Sequence, residues 1–537
     1  MSQELQKERL NFKPHVPQIL KKLKGIGFKE GIMTSSEADQ DALKKIFPNS
    51  FGRPILTLVN KNESVPLENK RVGVVFSGGQ AAGGHNVIAG LFDVLKSLNS
   101  HNQLFGFIGG PSGIIEGKSV EITDKLLKEY RNMGGFDLIG SGRTKIETEE
   151  QLIASKDNIE KLQLDGLVII GGDDSNTNAA VLAEYLLDKK SKAVVVGVPK
   201  TIDGDLRSEH LKITFGFDTA CRVYSEIIGN IARDAISAKK YYHFIKLMGR
   251  SASHITLECA LSTRINMALI GEEVKRDKKT LMDIVKDIAD MICKRAEKGK
   301  NYGVILIPEG LIEFIAEIKA LIRELNQFLS DNPNFNISDK MVLEKKLTKE
   351  SYNCFVSLPK EIAIQLLLDR DPHGNVQVSK IETEKLFLEL VEGELKRRGV
   401  SYKGKFNAVC HFLGYEGRAA YPSNFDAEYC YSLGINAALL INEKKTGYMS
   451  VITNLKEPVD RWGCMGIPIT MLMNMEERKN KKKAVIKKAL VDLEGIYFKK
   501  FVELRGLMAT DDIYTYPGPI QFFGNASVSD LRPLTIL

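Results

Sequence analysis

Along most of this 537-residue chain the apolar positions fall in short continuous runs, each closed by a glycine-rich turn and followed by helically spaced residues. From Arg71 these runs are RVGVVFSGG (71–79), LFGFIGG (104–110), LDGLVIIGGDD (164–174) and AVVVGVPK (193–200). Unbroken Val/Ile/Leu runs predict strands buried on both faces, and their alternation with helices predicts βαβ units around a parallel sheet. A second set follows: YYHFIKLM (241–248), MALIGEEV (267–274), YGVILIPEG (302–310) and FNAVCHFLGYEG (406–417). The pattern predicts an α/β protein with two doubly wound, Rossmann-like lobes. Length agrees, because 537 residues exceed what one core usually covers.

Three segments fall outside the alternation. Residues 1–70 read as an N-terminal extension of charged helical stretches punctuated by Pro14, Pro17, Pro48, Pro54 and Pro66. Residues 311–400 read as a mostly charged helical insertion on the second lobe, broken by a turn at DPHGNV (371–376). Residues 471–537 read as a C-terminal helical extension. Its lysine-rich ERKNKKKAVIKK (477–488) fits a solvated helix face, with an anion-binding patch as the alternative. The expected first lobe is then 71–235 with about 418–470, and the second is 236–417.

Composition narrows the class. Hydrophobic residues make up 43% and charged residues 27%, ordinary values for a globular protein. A formal charge of +7 suits an enzyme of anionic metabolites, and without a concentrated basic stripe nucleic acid is not an expected partner. Seven cysteines are scattered with no C-x-x-C pair, against a disulfide framework or zinc site and for a reducing, cytoplasmic compartment. The charged N-terminus has no apolar h-region. No apolar run approaches the roughly 20 residues that span a bilayer, so no membrane partner is expected.

In open α/β sheets ligands bind beyond the carboxyl ends of the strands, which directs attention to the turns. The first, SGGQAAGGHN (77–86), is neither G-x-G-x-x-G nor a Walker A loop. Its glycines let backbone N–H groups approach an anion, or they simply make a tight turn. SGIIEGKS (112–119) ends like a P-loop, but Ser112 stands where the first glycine belongs, so it is a near-miss. GGDDS (171–175) puts Asp173 and Asp174 at a strand end, either for a hard cation or as a helix cap with a solvated acid. PKTIDGDL (199–206) gathers Lys200, Thr201, Asp203 and Asp205. A carboxylate that accepts a hydroxyl proton beside a lysine that neutralises phosphate is the minimum for phosphoryl transfer to an alcohol; a surface turn with one ion pair is the alternative.

Taken in order, SGGQAAGGHN, GGDDS and PKTIDGD resemble the phosphofructokinase family, and within it the long pyrophosphate-dependent branch of plants, spirochaetes and some protists. SAKKYYHFIKLMGRSASHITLECAL (237–261), ILIPEG (305–310) and FLGYEGRAAYPSNFD (412–426) are similar to that branch's sugar-phosphate site. The resemblance runs from about residue 70 to about residue 470. It implies an active site in the cleft between a phosphoryl-donor lobe and a sugar-phosphate lobe, Mg²⁺ as cofactor, and reversible phosphoryl transfer from pyrophosphate to fructose 6-phosphate. The implied alternatives are an ATP-dependent enzyme or a non-catalytic regulatory subunit.

The resemblance also implies roles. Asp203 would be the general base for the C1 hydroxyl, with Asp205 beside it and Thr201 and Ile202 in substrate contact. Asp173 would hold Mg²⁺, and Gly78 and Gly79 would lie against the diphosphate. Met248, Gly249 and Arg250 would contact the sugar phosphate, with Arg250 near the transferring group. Glu309 would bond sugar hydroxyls, and Tyr415, Glu416, Gly417 and Arg418 would form the 6-phosphate segment. Lys240 and Tyr241 look like residues contributed across a subunit interface, which implies a homodimer or higher homo-oligomer. Asp174 and Lys200 stand where ATP-using relatives carry glycines. A carboxylate at the nucleotide's α-phosphate position would repel it by roughly 4 kcal/mol at ~4 Å and a dielectric near 20. That is about a 10³-fold discrimination.

Overall fold

The computed structural model describes residues 9–61, 69–332, 335, 340–368, 376–478, 481–518 and 534–536. Its strands, in chain order, are β1 (Ile26–Met33), β2 (Pro54–Asn60), β3 (Arg71–Phe76), β4 (Gln103–Phe107), β5 (Ser119–Glu121), β6 (Gly166–Gly171), β7 (Val194–Pro199) and β8 (Tyr241–Leu247). They continue with β9 (Met267–Ala268), β10 (Tyr302–Pro308), β11 (Ala408–Leu413), β12 (Tyr448–Thr453), β13 (Gly463–Pro468), β14 (Met473–Arg478) and β15 (Lys481–Ile486). The chain divides into two units. One comprises residues 1–220, 416–489 and 520–537, the other 221–415 and 490–519.

The first unit is built on a nine-stranded sheet of order β1-β2-β13-β12-β7-β6-β3-β4-β5. Its centre, β12-β7-β6-β3-β4, is parallel, while β5, β13, β2 and β1 pair antiparallel. The predicted Val/Ile runs form this centre, and β6 and β7 are buried along their whole length, as a sheet covered on both faces requires. Read from β3, the parallel strands follow the 2-1-3-4-5 order of doubly wound folds. The chain leaves β3 toward β4 on one side, then returns to build β6, β7 and β12 on the other. The switch point therefore lies at the carboxyl ends of β3 and β6, where such folds hold ligands.

The second unit carries a four-stranded parallel sheet of order β11-β8-β10-β9. The run MALIGEEV, predicted as a strand, is one for only Met267–Ala268. Gly271–Arg276 is helical, since its charged residues cannot lie along a buried strand. The insertion is helical as expected: Ala316–Asp331, Lys349–Ser357, Lys360–Leu368 and Thr383–Arg398 are helices. Their apolar faces, including Leu321, Leu325, Phe355, Leu366 and Phe387, join Phe244, Ile305 and Ile307 of the sheet in one core. The turn predicted at DPHGNV falls largely outside the described residues.

Two predicted helical segments are strands instead. In the N-terminal extension, β1 and β2 extend the edge of the large sheet, and Ile55, Leu56 and Leu58 of β2 are buried. Near the C-terminus, β14 and β15 form an antiparallel hairpin through the lysine run. Among the described residues no helix is long and apolar enough to cross a membrane.

Candidate active site

At the switch point the turn after β3 meets the segment after β7. Gly78 has φ +90, a left-handed conformation that glycine adopts without cost, and a Cβ there would lie 3.2 Å from Lys200 Nζ. The Lys200 ammonium thus rests against bare backbone. Gly78 N–H donates to Gly142 O at 2.8 Å, and Ser141 Oγ donates to Gly78 O at 2.6 Å, so the turn is braced rather than loose. A Cβ on Gly79 would lie 3.7 Å from Arg143 Nη2 and 3.8 Å from Arg418 Nη1. Two guanidinium groups and one ammonium therefore surround Gly78 and Gly79. The second glycine pair serves packing: side chains at Gly83 and Gly84 would strike Cys430 Sγ and Phe136.

Lys200 is buried, and its neighbours decide its charge. Burial pulls its pKa down to about 8; Asp203 and Asp173 push it up, while Arg143 and Arg418 push it further down. Asp203 follows in the same loop, where its N–H donates to Thr201 Oγ1 at 3.1 Å. Ile202 is buried beneath this loop. Gly204 has φ +70 and a Cβ there would lie 2.9 Å from the Phe217 ring, so both backbone and space call for glycine between the two aspartates.

Asp173 and Asp174 open the helix Asp173–Asp188, at its positive end. Asp174 Oδ2 lies 3.2 Å from Lys145 Nζ, so its charge is partly neutralised and the bare repulsion of an α-phosphate is reduced. Asp173 Oδ2 and Asp205 Oδ2 lie 3.7 and 3.8 Å from a single ammonium, Lys488 Nζ. Withdrawal from water lowers the Lys488 pKa, but Asp173, Asp205, Asp203 and Asp174 together outweigh it and the net shift is upward. Two carboxylates converging on one cation are a hard-oxygen set of the kind that would fit Mg²⁺. Among the described residues no cluster of three or more His, Cys, Asp or Glu forms a closed metal cage.

The second unit assembles the other expected residues at the carboxyl edge of its sheet. Met248, Gly249 and Arg250 follow β8, Glu309 follows β10, and Tyr415 follows β11. Met248 N–H donates to Leu413 O and Glu309 N–H to Leu247 O, both at 2.9 Å, which ties the three loops together. Buried Glu309 accepts from Gly249 N–H through Oε2 at 2.9 Å. Arg250 and Tyr415 are exposed. Lys240 and Tyr241 lie elsewhere, at the opposite end of β8, about 20 Å away at ~3.3 Å per residue. There the Lys240 ammonium sits 5.1 Å above the Tyr241 ring. In the short helix Tyr415–Arg418, Glu416 is exposed and Gly417 buried.

Sequence reasoning passed over Arg143, Lys145 and Lys488. The first two lie in SGRTK (141–145), a small basic turn whose glycine and serine were its only signal. Lys488, which reaches Asp173 and Asp205, was hidden in a lysine run. The P-loop look-alike is a helix end: Gly117, at φ +69, caps Pro111–Glu116 and leads into β5.

The family described as phosphofructokinase matches residues 71–441. The pyrophosphate--fructose 6-phosphate 1-phosphotransferase of Treponema pallidum is 50% identical, over 99% of this chain and 96% of the relative. The beta 1 subunit of the Arabidopsis thaliana enzyme of that name is 51% identical, over 98% of this chain and 93% of the relative. Among solved structures, a pyrophosphate-dependent phosphofructokinase from Marinobacter aquaeolei shares the fold with a TM-score of 0.53, 15% identity, and coverage of 83% and 93%. With its motifs lying at the switch point and this identity extending over nearly its full length, the chain belongs to the phosphofructokinase family.

Proposed function

We propose that the chain is a pyrophosphate-dependent phosphofructokinase, transferring a phosphoryl group reversibly from pyrophosphate to the C1 hydroxyl of fructose 6-phosphate. Lys200 carries the reading: a buried ammonium against Gly78, close to Arg143 and Arg418, three residues before a carboxylate. Phosphoryl transfer needs mainly positioning and charge neutralisation, and this cluster supplies both. Lys200, Arg143 and Arg418 take the diphosphate oxygens, and the bare backbone of Gly78 and Gly79 leaves room for them. Asp203 accepts the C1 hydroxyl proton as the new P–O bond forms. The departing phosphate takes the electron pair of the broken P–O bond, and Lys200 neutralises it.

Asp173 and Asp205 would hold Mg²⁺, which when bound neutralises charge on the donor phosphates. Met248, Gly249, Arg250, Glu309 and Tyr415 would form the acceptor's set. Lys240 and Tyr241, on the far side of their sheet, serve the site of another copy in a homodimer or larger homo-oligomer. Cytoplasm is the fitting compartment for this substrate pair.

The experiment is fructose 1,6-bisphosphate formation by purified protein with Mg²⁺ and fructose 6-phosphate, given pyrophosphate or ATP. Turnover with pyrophosphate and little with ATP is expected, and Lys200→Met should abolish it. Preference for ATP would overturn the donor assignment, and silence with both donors would favour a regulatory subunit.

A further inference from the structure

Lys488 has no part in the phosphoryl-transfer scheme, yet it is held firmly. It follows β15, and the backbone is anchored on either side of it. Lys487 N–H donates to Leu472 O at 2.9 Å, and Ala489 N–H donates to Asp205 O at 2.7 Å. Ile486 N–H donates to Thr177 Oγ1 at 3.2 Å, fastening the hairpin to the helix that Asp173 begins. These bonds fix where the side chain starts, and its ammonium ends within 4 Å of both Asp173 and Asp205. The same two oxygens are those suited to a divalent cation. An ammonium and a hydrated metal cannot share so small a space between two carboxylates, so whichever enters must displace the other.

We propose that Lys488 is a tethered counter-ion that competes with the divalent cation for Asp173 and Asp205, so that metal enters effectively only together with the diphosphate. This rests on the assignment of Asp173 to the metal made above. Unliganded protein pairs its acids internally and holds free metal weakly. A metal–diphosphate complex brings anionic oxygens that give the displaced ammonium a new partner, and the exchange becomes favourable. Lys488 is here a positioning residue, acting through the carboxylates and the donor.

The test is Mn²⁺ titration of the full-length protein, followed by electron paramagnetic resonance, with and without the non-hydrolysable methylenediphosphonate. Wild type, Lys488→Gln, Lys488→Arg and Asp173→Asn are compared, with circular dichroism to confirm folding. Without the diphosphonate, Lys488→Gln should bind Mn²⁺ about tenfold more tightly than wild type, near 1.4 kcal/mol. Lys488→Arg should resemble wild type, and Asp173→Asn should lose the site. With the diphosphonate the gap between wild type and Lys488→Gln should close or reverse. Equal or weaker Mn²⁺ binding by Lys488→Gln, with Asp173→Asn still losing the site, overturns the counter-ion and leaves the metal assignment standing. Mn²⁺ binding that Asp173→Asn does not alter overturns both, while pyrophosphate turnover remains a separate measurement.

Discussion

Lys200 shows how one side chain's surroundings set a reaction's working range. Burial brings its pKa from 10.5 to about 8, so the free protein loses this charge just above neutrality. We expect kcat/KM for pyrophosphate to fall as pH rises through about 8, because that constant reports ionisations of the free enzyme. Lys200→Arg, whose guanidinium stays charged, should carry any residual activity further into alkali; an alkaline limb unchanged in that variant would count against Lys200 as its source. The stability sign is opposite. Between about 8 and 10.5 the unfolded chain binds the extra proton, so the cost of burying this ammonium fades as pH rises. Asp174 gives a different lesson. Its position was legible in the sequence, but its pairing with Lys145 was not, because a partner 29 residues earlier in the chain leaves no local pattern.

At the scale of elements, two helix starts meet around Asp426 in the first unit. Thr219 N–H donates to Asp426 Oδ2 at 2.9 Å and Gly216 N–H to Oδ1 at 3.1 Å, while Ser423 Oγ donates to Asp218 at 2.5 Å. The beginnings of helices Phe217–Ala238 and Asn424–Asn442 are thus tied together by two buried acids. Burial first, and the Asp218 charge second, raise the Asp426 pKa from 3.8 to about 7. The folded state then keeps a proton that the unfolded state releases. Stability should fall as pH rises from about 4 to about 7, by up to about 1.4 kcal/mol per unit, and level off above. Urea midpoints at pH 5 and 7 would reveal this, and Asp426→Asn should flatten the difference. The elements themselves were read unevenly. Buried parallel strands announce themselves as apolar runs, so β3, β4, β6, β7, β8 and β10 were legible, and the edge strand β11 was read from the same kind of run although only its Leu413 is buried. β2 has a weaker signal in its buried Ile55, Leu56 and Leu58, and β15 has one in its buried Val485 and Ile486, with Lys482 and Lys483 exposed. A lysine-rich edge hairpin and a charged helix share a composition, and tertiary support alone decides between them.

At the scale of the whole molecule, the turns after β3, β6 and β7 stood out because open α/β sheets place ligands at the carboxyl ends of their strands, whereas the residues at that edge of the second sheet came from the family resemblance. Lys240 and Tyr241 do not follow that rule. If they complete another copy's site, two inactive variants should rescue each other: Lys240→Ala mixed with Asp203→Asn, unfolded together and refolded, should regain about a quarter of wild-type activity. That is the yield when random pairing makes half the dimers mixed and each mixed dimer has one intact site. No activity above the sum of the separate variants would place both residues in their own chain's site.

The central sheet also has a history written into its order. β12 lies beside β7, yet the chain makes the whole sheet of the second unit between them. During synthesis the open edge of β7 must wait, unpaired, for a strand released hundreds of residues later, while the second unit's strands have long been available to one another. Distant pairings of this kind form late and leave apolar edges exposed meanwhile. For this protein the dangerous interval is the time between the two halves of one sheet, and chaperone capture of chains stalled before Tyr448 is where that interval would be seen.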